Sequence, residues 1–198
     1  MLVTGIRAVT KQKYQVEIDG QQAFVVYKGE LSRYGIKEGE ELSGENYREL
    51  VGEVLAKRAK LRAMHLLERG DKTRAELYRK LRQNGYPEDV VEDAISYVES
   101  YGYIDDSRYA ANYIEQKSAS QGRARLKMEL AKRGIERSVI DRALDEAELT
   151  DSQETIRALV EKKRRGSGPM DDKEKQRIYG FLMRKGFSSA DILSVLRE

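Results

Sequence analysis

The sequence contains no cysteine, and this absence removes several kinds of site at once. Without thiols the chain forms neither disulfides nor a thiolate nucleophile, and the common structural zinc sites require cysteine ligands. The single histidine, His65, leaves too few bases for a Cys–His pair or for a catalytic triad with a separate general acid. We therefore expect no enzymatic activity, no cofactor and no metal.

Sequence motifs for phosphate, dinucleotide, calcium or zinc-protease sites are also missing. Adjacent aspartates at 105–106 and 171–172 could bind a metal, but capping of a helix start explains them better. No stretch approaches the about 18 apolar residues that a membrane-spanning helix requires, and the N-terminal residues lack a signal-peptide core. We expect a soluble cytoplasmic protein without membrane contact.

The sequence also lacks a large excess of one sign of charge over the other. Charged residues make up 36% of the chain, but 37 basic and 34 acidic residues leave a net charge of only +3. This balance indicates a mixed, solvated surface and not a bulk polycation. A site for an anionic partner must therefore come from local clustering.

The first 50 residues or so have the pattern of β-strands. Tyr14, Val16 and Ile18 alternate, Asp19-Gly20 is a hairpin turn signal, and a short β-rich run follows at 23–27. The pattern also predicts a third strand at residues 3–9. An isolated hairpin is marginally stable in water, so we expect these strands to pack on each other and on the helical part.

A segment of about 19 residues occurs three times at a spacing of about 50 residues, which indicates one structural unit used repeatedly. The copies are "LYRKLRQNGYPEDVVEDAI" (77–95), "LKMELAKRGIERSVIDRAL" (126–144) and "IYGFLMRKGFSSADILSVL" (178–196). Leucines four residues apart share one helical face, and the glycine after the last turn is the expected left-handed stop. Each copy therefore predicts a helix, a glycine turn and a second helix.

Another helix precedes each copy, at roughly 50–69, 106–118 and 151–164. The predicted fold is mainly α. A small N-terminal β-hairpin or three-strand domain is followed along the chain by three tandem three-helix modules in an elongated curved array. The expected boundaries are 1–49 for the β-rich domain and 50–104, 105–149 and 150–198 for the modules.

Basic residues occupy matching faces of the second and third modules. Arg125 and Lys132 lie opposite the buried Leu126 and Leu130, and Arg177 and Arg184 hold the equivalent positions of the third module. The first module has Glu76 and Gln83 at the positions equivalent to Arg125 and Lys132. The candidate set is completed by Arg123, Lys127, Arg133, Arg74, Arg79, Arg82, Lys162, Lys163, Arg164 and Arg165. This pattern favours an extended basic stripe facing an anionic partner.

Two stretches, "YGYIDDSRYAANYIEQKSASQGRARLKMELAKRGI" (101–135) and "KTRAELYRKLRQNGY" (72–86), resemble the RecX family, bacterial regulators of the RecA recombinase. The resemblance covers about residues 56–198 and leaves the strands aside. It implies a curved helical protein that lies in the groove of the RecA filament on single-stranded DNA. It also implies that ATP hydrolysis, strand exchange and filament growth fall on binding. We expect a monomer with at most weak direct contact to DNA.

Two other functions are compatible with the residues alone. A helix, a glycine turn and a second helix also describe helix-turn-helix proteins, which would make the chain a sequence-tolerant nucleic-acid-binding repeat protein. Against this, the second helices contain "EDVVEDAI" and "SADILSVL", which are too acidic or too apolar for a major groove. The other possibility is an α-solenoid scaffold, which the basic stripe disfavours.

Overall fold

The computed structural model describes residues 1–147, 152–164, 166 and 168–197. The chain divides into two compact units, residues 1–105 and 106–198. The first unit holds the strands and the first predicted module, and the second holds the other two modules.

Three antiparallel strands open the first unit, in the order β1 (Val3–Ala8), β2 (Lys13–Ile18) and β3 (Gln21–Tyr27). Asp19 and Gly20 join β2 to β3 with φ values of 50° and 80°. Positive φ at both central residues is the type I′ geometry that matches the twist of a hairpin. The predicted three-strand arrangement is confirmed.

Five α-helices and one π-helical segment follow in the first unit. They are α1 (Lys28–Arg33), α2 (Gly44–Glu49), the π-helical segment (Leu50–Leu55), α3 (Ala56–Leu67), α4 (Arg74–Gln83) and α5 (Glu88–Ser100). The helix predicted from residue 50 thus begins earlier, at Gly44, because the Ser43 hydroxyl accepts a hydrogen bond from the Asn46 N–H (3.2 Å) and caps α2.

The strands share one hydrophobic core with the helices of the first unit. Val16 and Phe24 of the sheet are buried in the same cluster as Leu77 and Leu81 of α4. The backbone joins the two parts as well, since the Val25 N–H donates to the Gly85 carbonyl oxygen (2.9 Å). The expectation that the strands pack on the helical part is confirmed.

The second unit contains two three-helix modules, each with its own core. The helices are α6 (Asp106–Lys117), α7 (Arg123–Lys132), α8 (Arg137–Glu146), α9 (Ser152–Lys163), α10 (Asp172–Arg184) and α11 (Ser189–Arg197). One core surrounds Leu126 and Leu130, and the other surrounds Ile178 and Leu182. Asp171 caps α10 by accepting the Glu174 N–H (2.7 Å), so the capping interpretation of this aspartate is confirmed.

The three repeated glycines adopt the predicted left-handed conformation. Positive φ values of 83°, 84° and 86° occur at Gly85, Gly134 and Gly186. In the second module the Ile135 N–H donates to the Leu130 carbonyl oxygen (3.3 Å), and in the third Phe187 donates to Leu182 (3.3 Å). This bond defines the Schellman motif, which turns the residue after the glycine back onto the helix. Ile135 and Phe187 are accordingly buried.

The turn of the third module caps a helix of the second. The Gly122 N–H donates to the Lys185 carbonyl oxygen (2.9 Å), and the Ala124 N–H donates to the Gly186 carbonyl oxygen (3.3 Å). Gly122 is the N-cap residue of α7 and supplies no side-chain cap, so these carbonyls satisfy N–H groups that a helix start leaves unpaired. A Cβ on Gly122 would lie 2.3 Å from the Gly186 oxygen, and one on Gly186 would lie 2.4 Å from the Arg125 nitrogen.

We predict that Gly122→Ala destabilises this contact by about 1–3 kcal/mol, the usual range for overpacking. The φ of Gly122 is −78°, which alanine adopts freely, so the effect isolates the steric clash. Hydrogen exchange at the Ala124 amide should accelerate. Gly29→Ala is the control, because nothing lies within 4 Å of its added Cβ. Unchanged protection at Ala124 would contradict the capping role of the turn.

Candidate partner-binding surface

Arg125 and Lys132 of α7 differ in how far they are available to a partner. Arg125 is half-buried, and its Nη2 lies 2.6 Å from Glu129 Oε1, one turn further along the helix. Lys132 is exposed at the end of α7 and forms no ion pair with any described residue. The predicted pair is thus one cation held within its own helix and one with a free ammonium.

Two other basic residues of α7 hold the module together. Arg123 reaches the end of α8, where Nη1 donates to the Leu144 carbonyl oxygen (3.0 Å) and Nη2 donates to Asp145 Oδ1 (2.5 Å). Lys127 forms a short ion pair with Asp141, which lowers the pKa of that carboxyl mainly through the hydrogen bond. Both side chains therefore tie α7 to α8.

Arg133, the residue before the glycine turn, packs on aromatic rings of α6. Its guanidinium lies 5.8 Å from the ring centroid of Tyr109 and 5.1 Å from that of Tyr113. Both tyrosines pack against the core of the second module. A cation over the face of an aromatic ring is attracted by the ring quadrupole. This contact places Arg133 against its own module.

The first module's predicted cations are also engaged. Arg74 Nη2 lies 2.7 Å from Glu92, and its Nε lies 3.2 Å from Glu99. Arg82 donates to the Tyr86 carbonyl oxygen (2.9 Å). Arg79, the third candidate in this module, is exposed and donates to the Ala75 carbonyl oxygen (3.2 Å).

In the third module two arginines are fixed by the backbone. Arg177 donates to the Lys163 carbonyl oxygen (2.9 Å) and to Glu174 (3.1 Å). Arg164 donates to the Gly168 carbonyl oxygen (2.6 Å) and pairs with Glu161 (2.9 Å). Arg165 lies outside the described residues.

Two lysines of the third module lie near one aromatic ring. Lys163 Nζ lies 5.2 Å and Lys185 Nζ 5.8 Å from the ring centroid of Phe181. Lys162 and Arg184, their chain neighbours, are exposed and form no ion pair with any described residue. The sequence interpretation missed Phe181 and Lys185. Their positions relative to Gly186 match those of Glu129 and Arg133 relative to Gly134, so alignment of the repeats could have found Lys185.

Of the candidate cations, Lys132, Lys162 and Arg184 are exposed and form neither a hydrogen bond nor an ion pair with any described residue; they are called here the free cation set. Lys163 and Lys185 lie near the Phe181 ring. Each lysine offers three N–H donors and a point charge, which suits phosphate or carboxylate oxygens. Whether these residues contact a partner stays a prediction.

Two kinds of feature are absent from the part of the chain that the structure describes. No helix there is both long enough and apolar enough to cross a membrane. No group of three or more histidine, aspartate or glutamate side chains there could hold a metal ion. His65 lies at the surface, 3.2 Å from Glu68.

We predict that Lys127→Met raises the pKa of Asp141 toward its ordinary value, while Arg137, 3.5 Å from the same carboxyl, retains part of the shift. The pKa is lowered in the folded chain, so the pair stabilises the fold above the unfolded pKa and loses this effect as pH falls through the folded pKa. Carboxyl-carbon NMR titration measures it. Lys132→Met is the control, and an equal effect of both changes would argue against a specific Lys127–Asp141 bond.

Comparison with known proteins assigns each helical module separately. Family models for the first, second and third three-helix domains of RecX match residues 59–97, 105–144 and 150–196. The three matches follow one another along the chain in the order of the family's own domains.

Similarity extends to the whole chain. Proteins named regulatory protein RecX from Caldanaerobacter subterraneus subsp. tengcongensis and Clostridium acetobutylicum are 34% and 30% identical to it, over 99% of this chain and 98% and 95% of theirs. A crystal structure of regulatory protein RecX has a TM-score of 0.67 at 26% identity, covering 100% of this chain and 99% of that one. RecX from Lactobacillus salivarius has a TM-score of 0.66 at 25% identity, over 73% and 96%.

Proposed function

Because this chain belongs to the RecX family, we propose that it is a non-enzymatic regulator that binds the RecA filament on single-stranded DNA. On this proposal the protein acts in the cytoplasm as a monomer and restrains ATP hydrolysis, strand exchange and filament growth. The relatives' name, regulatory protein RecX, supports the regulatory part.

The proposal is supported by the difference between candidate cations that are bonded within their own module and those that are not. Most candidate cations satisfy carboxylates, carbonyls or rings of their own module, whereas the free cation set has exposed charges that form no ion pair with any described residue. An exposed charge adds little to folding stability but strengthens and accelerates association with a surface of opposite charge. A nucleoprotein filament offers such a surface in its phosphates.

Repetition of the module supports the same partner. A filament presents identical subunits at regular intervals, and a ligand with repeated modules can contact several of them at once. The second contact then forms at the effective concentration that the first one sets, so modest individual affinities combine. A single anionic small molecule would gain nothing from three modules.

We predict that Lys132→Glu, Lys162→Glu and Arg184→Glu together abolish most of the suppression of RecA ATP hydrolysis, because three attractive charges become repulsive. The substituted side chains are exposed, so circular dichroism and thermal unfolding should stay near those of the unmodified protein. ATP turnover by RecA on a single-stranded oligonucleotide, titrated with each protein, measures the effect.

A matched control changes Lys11, Lys28 and Lys57, which are exposed cations of the first unit, to glutamate. This control has the same net charge as the variant with changes at Lys132, Lys162 and Arg184, and it should still suppress RecA ATP hydrolysis. Full suppression by the first variant, or equal loss in both, would overturn the role of the free cation set.

The affinities of the unmodified protein for RecA-coated and for bare single strands distinguish a filament regulator from a nucleic-acid binder. We expect the unmodified protein to bind RecA-coated strands at least about tenfold more tightly than bare strands, roughly 1.4 kcal/mol. A nucleic-acid binder would show equal affinities, with a salt slope near −0.7 per phosphate contacted.

A further inference from the structure

A tract of exposed tyrosines in the first unit has no part in the basic surface. The ring centroids of Tyr97 and Tyr101 are 5.0 Å apart, and those of Tyr101 and Tyr103 are 6.0 Å apart with planes inclined by 21°. Tyr101 is 62% and Tyr103 51% exposed, although aromatic rings of this size usually bury most of their surface. The half-buried Tyr97 packs against the core, whereas the rings of Tyr101 and Tyr103 lie against each other and remain more than half exposed.

The backbone explains why the tyrosines lie together. Gly102 follows α5 with a φ of 67°, and the Tyr103 N–H donates to the Val98 carbonyl oxygen (3.0 Å). This is again the Schellman geometry, which turns the chain back so that Tyr103 returns beside Tyr101. In the three repeated turns the residue after the glycine is buried, whereas here it stays on the surface.

Beside Tyr103 the surface forms a groove with an apolar floor and acidic side chains. The groove has a volume of about 390 Å³ and is lined by Met64, Leu67, Glu68, Asp71 and Tyr103. Methionine and tyrosine make an adaptable apolar surface, since the thioether is flexible and contacts rings favourably. No lysine or arginine lines the groove, so its lining charge is negative.

The helix that lines the groove carries a further exposed apolar residue. Leu61 of α3, 59% exposed, lies one turn before Met64, and Lys60 places its ammonium 5.2 Å from the Tyr97 ring centroid. Lys60 is itself paired with Asp93 (2.8 Å). Clustered tyrosine and methionine at the surface is the composition of protein interfaces and not of the average exposed face.

Charge decides among the possible occupants. The phosphates of a nucleic acid would face Glu68 and Asp71, which opposes base stacking on the tyrosines. A second copy of this chain in a twofold contact would bring the same patch, and the same carboxylates, against each other. A polypeptide with an aliphatic side chain next to a lysine or arginine satisfies both the apolar floor and the acidic lining.

We infer that this groove, called here the tyrosine groove and lined by Met64, Leu67, Glu68, Asp71 and Tyr103, docks a basic, apolar polypeptide segment of the protein partner. The first unit then recognises protein, while the free cation set recognises the anionic surface. The inference rests on the proposed function, in which the RecA subunits of the filament supply the segment. The groove therefore determines preference for the coated strand over the bare one.

The test is Tyr101→Ser combined with Tyr103→Ser. Both rings are more than half exposed, so the fold should survive, as circular dichroism would check. We expect binding to a RecA-coated oligonucleotide to weaken at least about tenfold, as for a truncated interface anchor, while affinity for the bare oligonucleotide stays unchanged. Leu193→Ser, which also removes an exposed apolar side chain, is the control and should bind as the unmodified protein does.

A charge test accompanies it. Asp71→Lys should weaken binding to the coated strand, whereas Glu38→Lys, the same charge change at an exposed residue outside the groove, should not. Equal binding by the tyrosine variant, a loss of affinity for bare strand, or a dimer that the tyrosine change dissociates in sedimentation would each overturn the inference. If the unmodified protein ignores coated strands, the proposed function fails and this inference with it.

Discussion

The helical part of this protein depends on a backbone conformation that only glycine adopts without strain. Gly85, Gly134 and Gly186 end equivalent helices with φ values between 83° and 86°. Any Cβ in the left-handed region costs roughly 1–2 kcal/mol, so the repeat retains glycine at a position where every other residue would resist the turn. The turn then sends the following residue into the core, and this apolar contact closes the module.

Two of these three turns also join a module to what precedes it in the chain. Gly85 accepts a hydrogen bond from Val25 of the sheet, and Gly186 accepts one from Ala124 at the start of α7. Helix ends leave carbonyls and N–H groups unpaired, so a carbonyl end placed on an N–H end satisfies both. One local conformation therefore terminates a helix, fills a core and makes a backbone contact to another element.

Sequence spacing predicted the strands, the glycine stops and the cores, because these follow from local periodicity and from the φ that a residue tolerates. It could not separate free cations from engaged ones. Arg123 meets Asp145 only because α7 and α8 pack together. The Arg125–Glu129 pair, by contrast, is four residues apart on one helix and was visible in the sequence. The tyrosine groove required the structure, since the exposure of Tyr103, which lines it, is a tertiary property.

On the proposed function, a regulator must distinguish a coated strand from both of its components. A surface with only the free cation set would bind any single strand, since phosphate contacts carry no information about the protein on it. A surface with only the tyrosine groove would bind the recombinase whether or not it was on DNA. When two weak contacts of different chemistry lie on one chain, the object that offers both partners together is favoured by their combined affinity. Selectivity for the filament then arises from the pairing of the two surfaces, and neither of them needs to be tight alone.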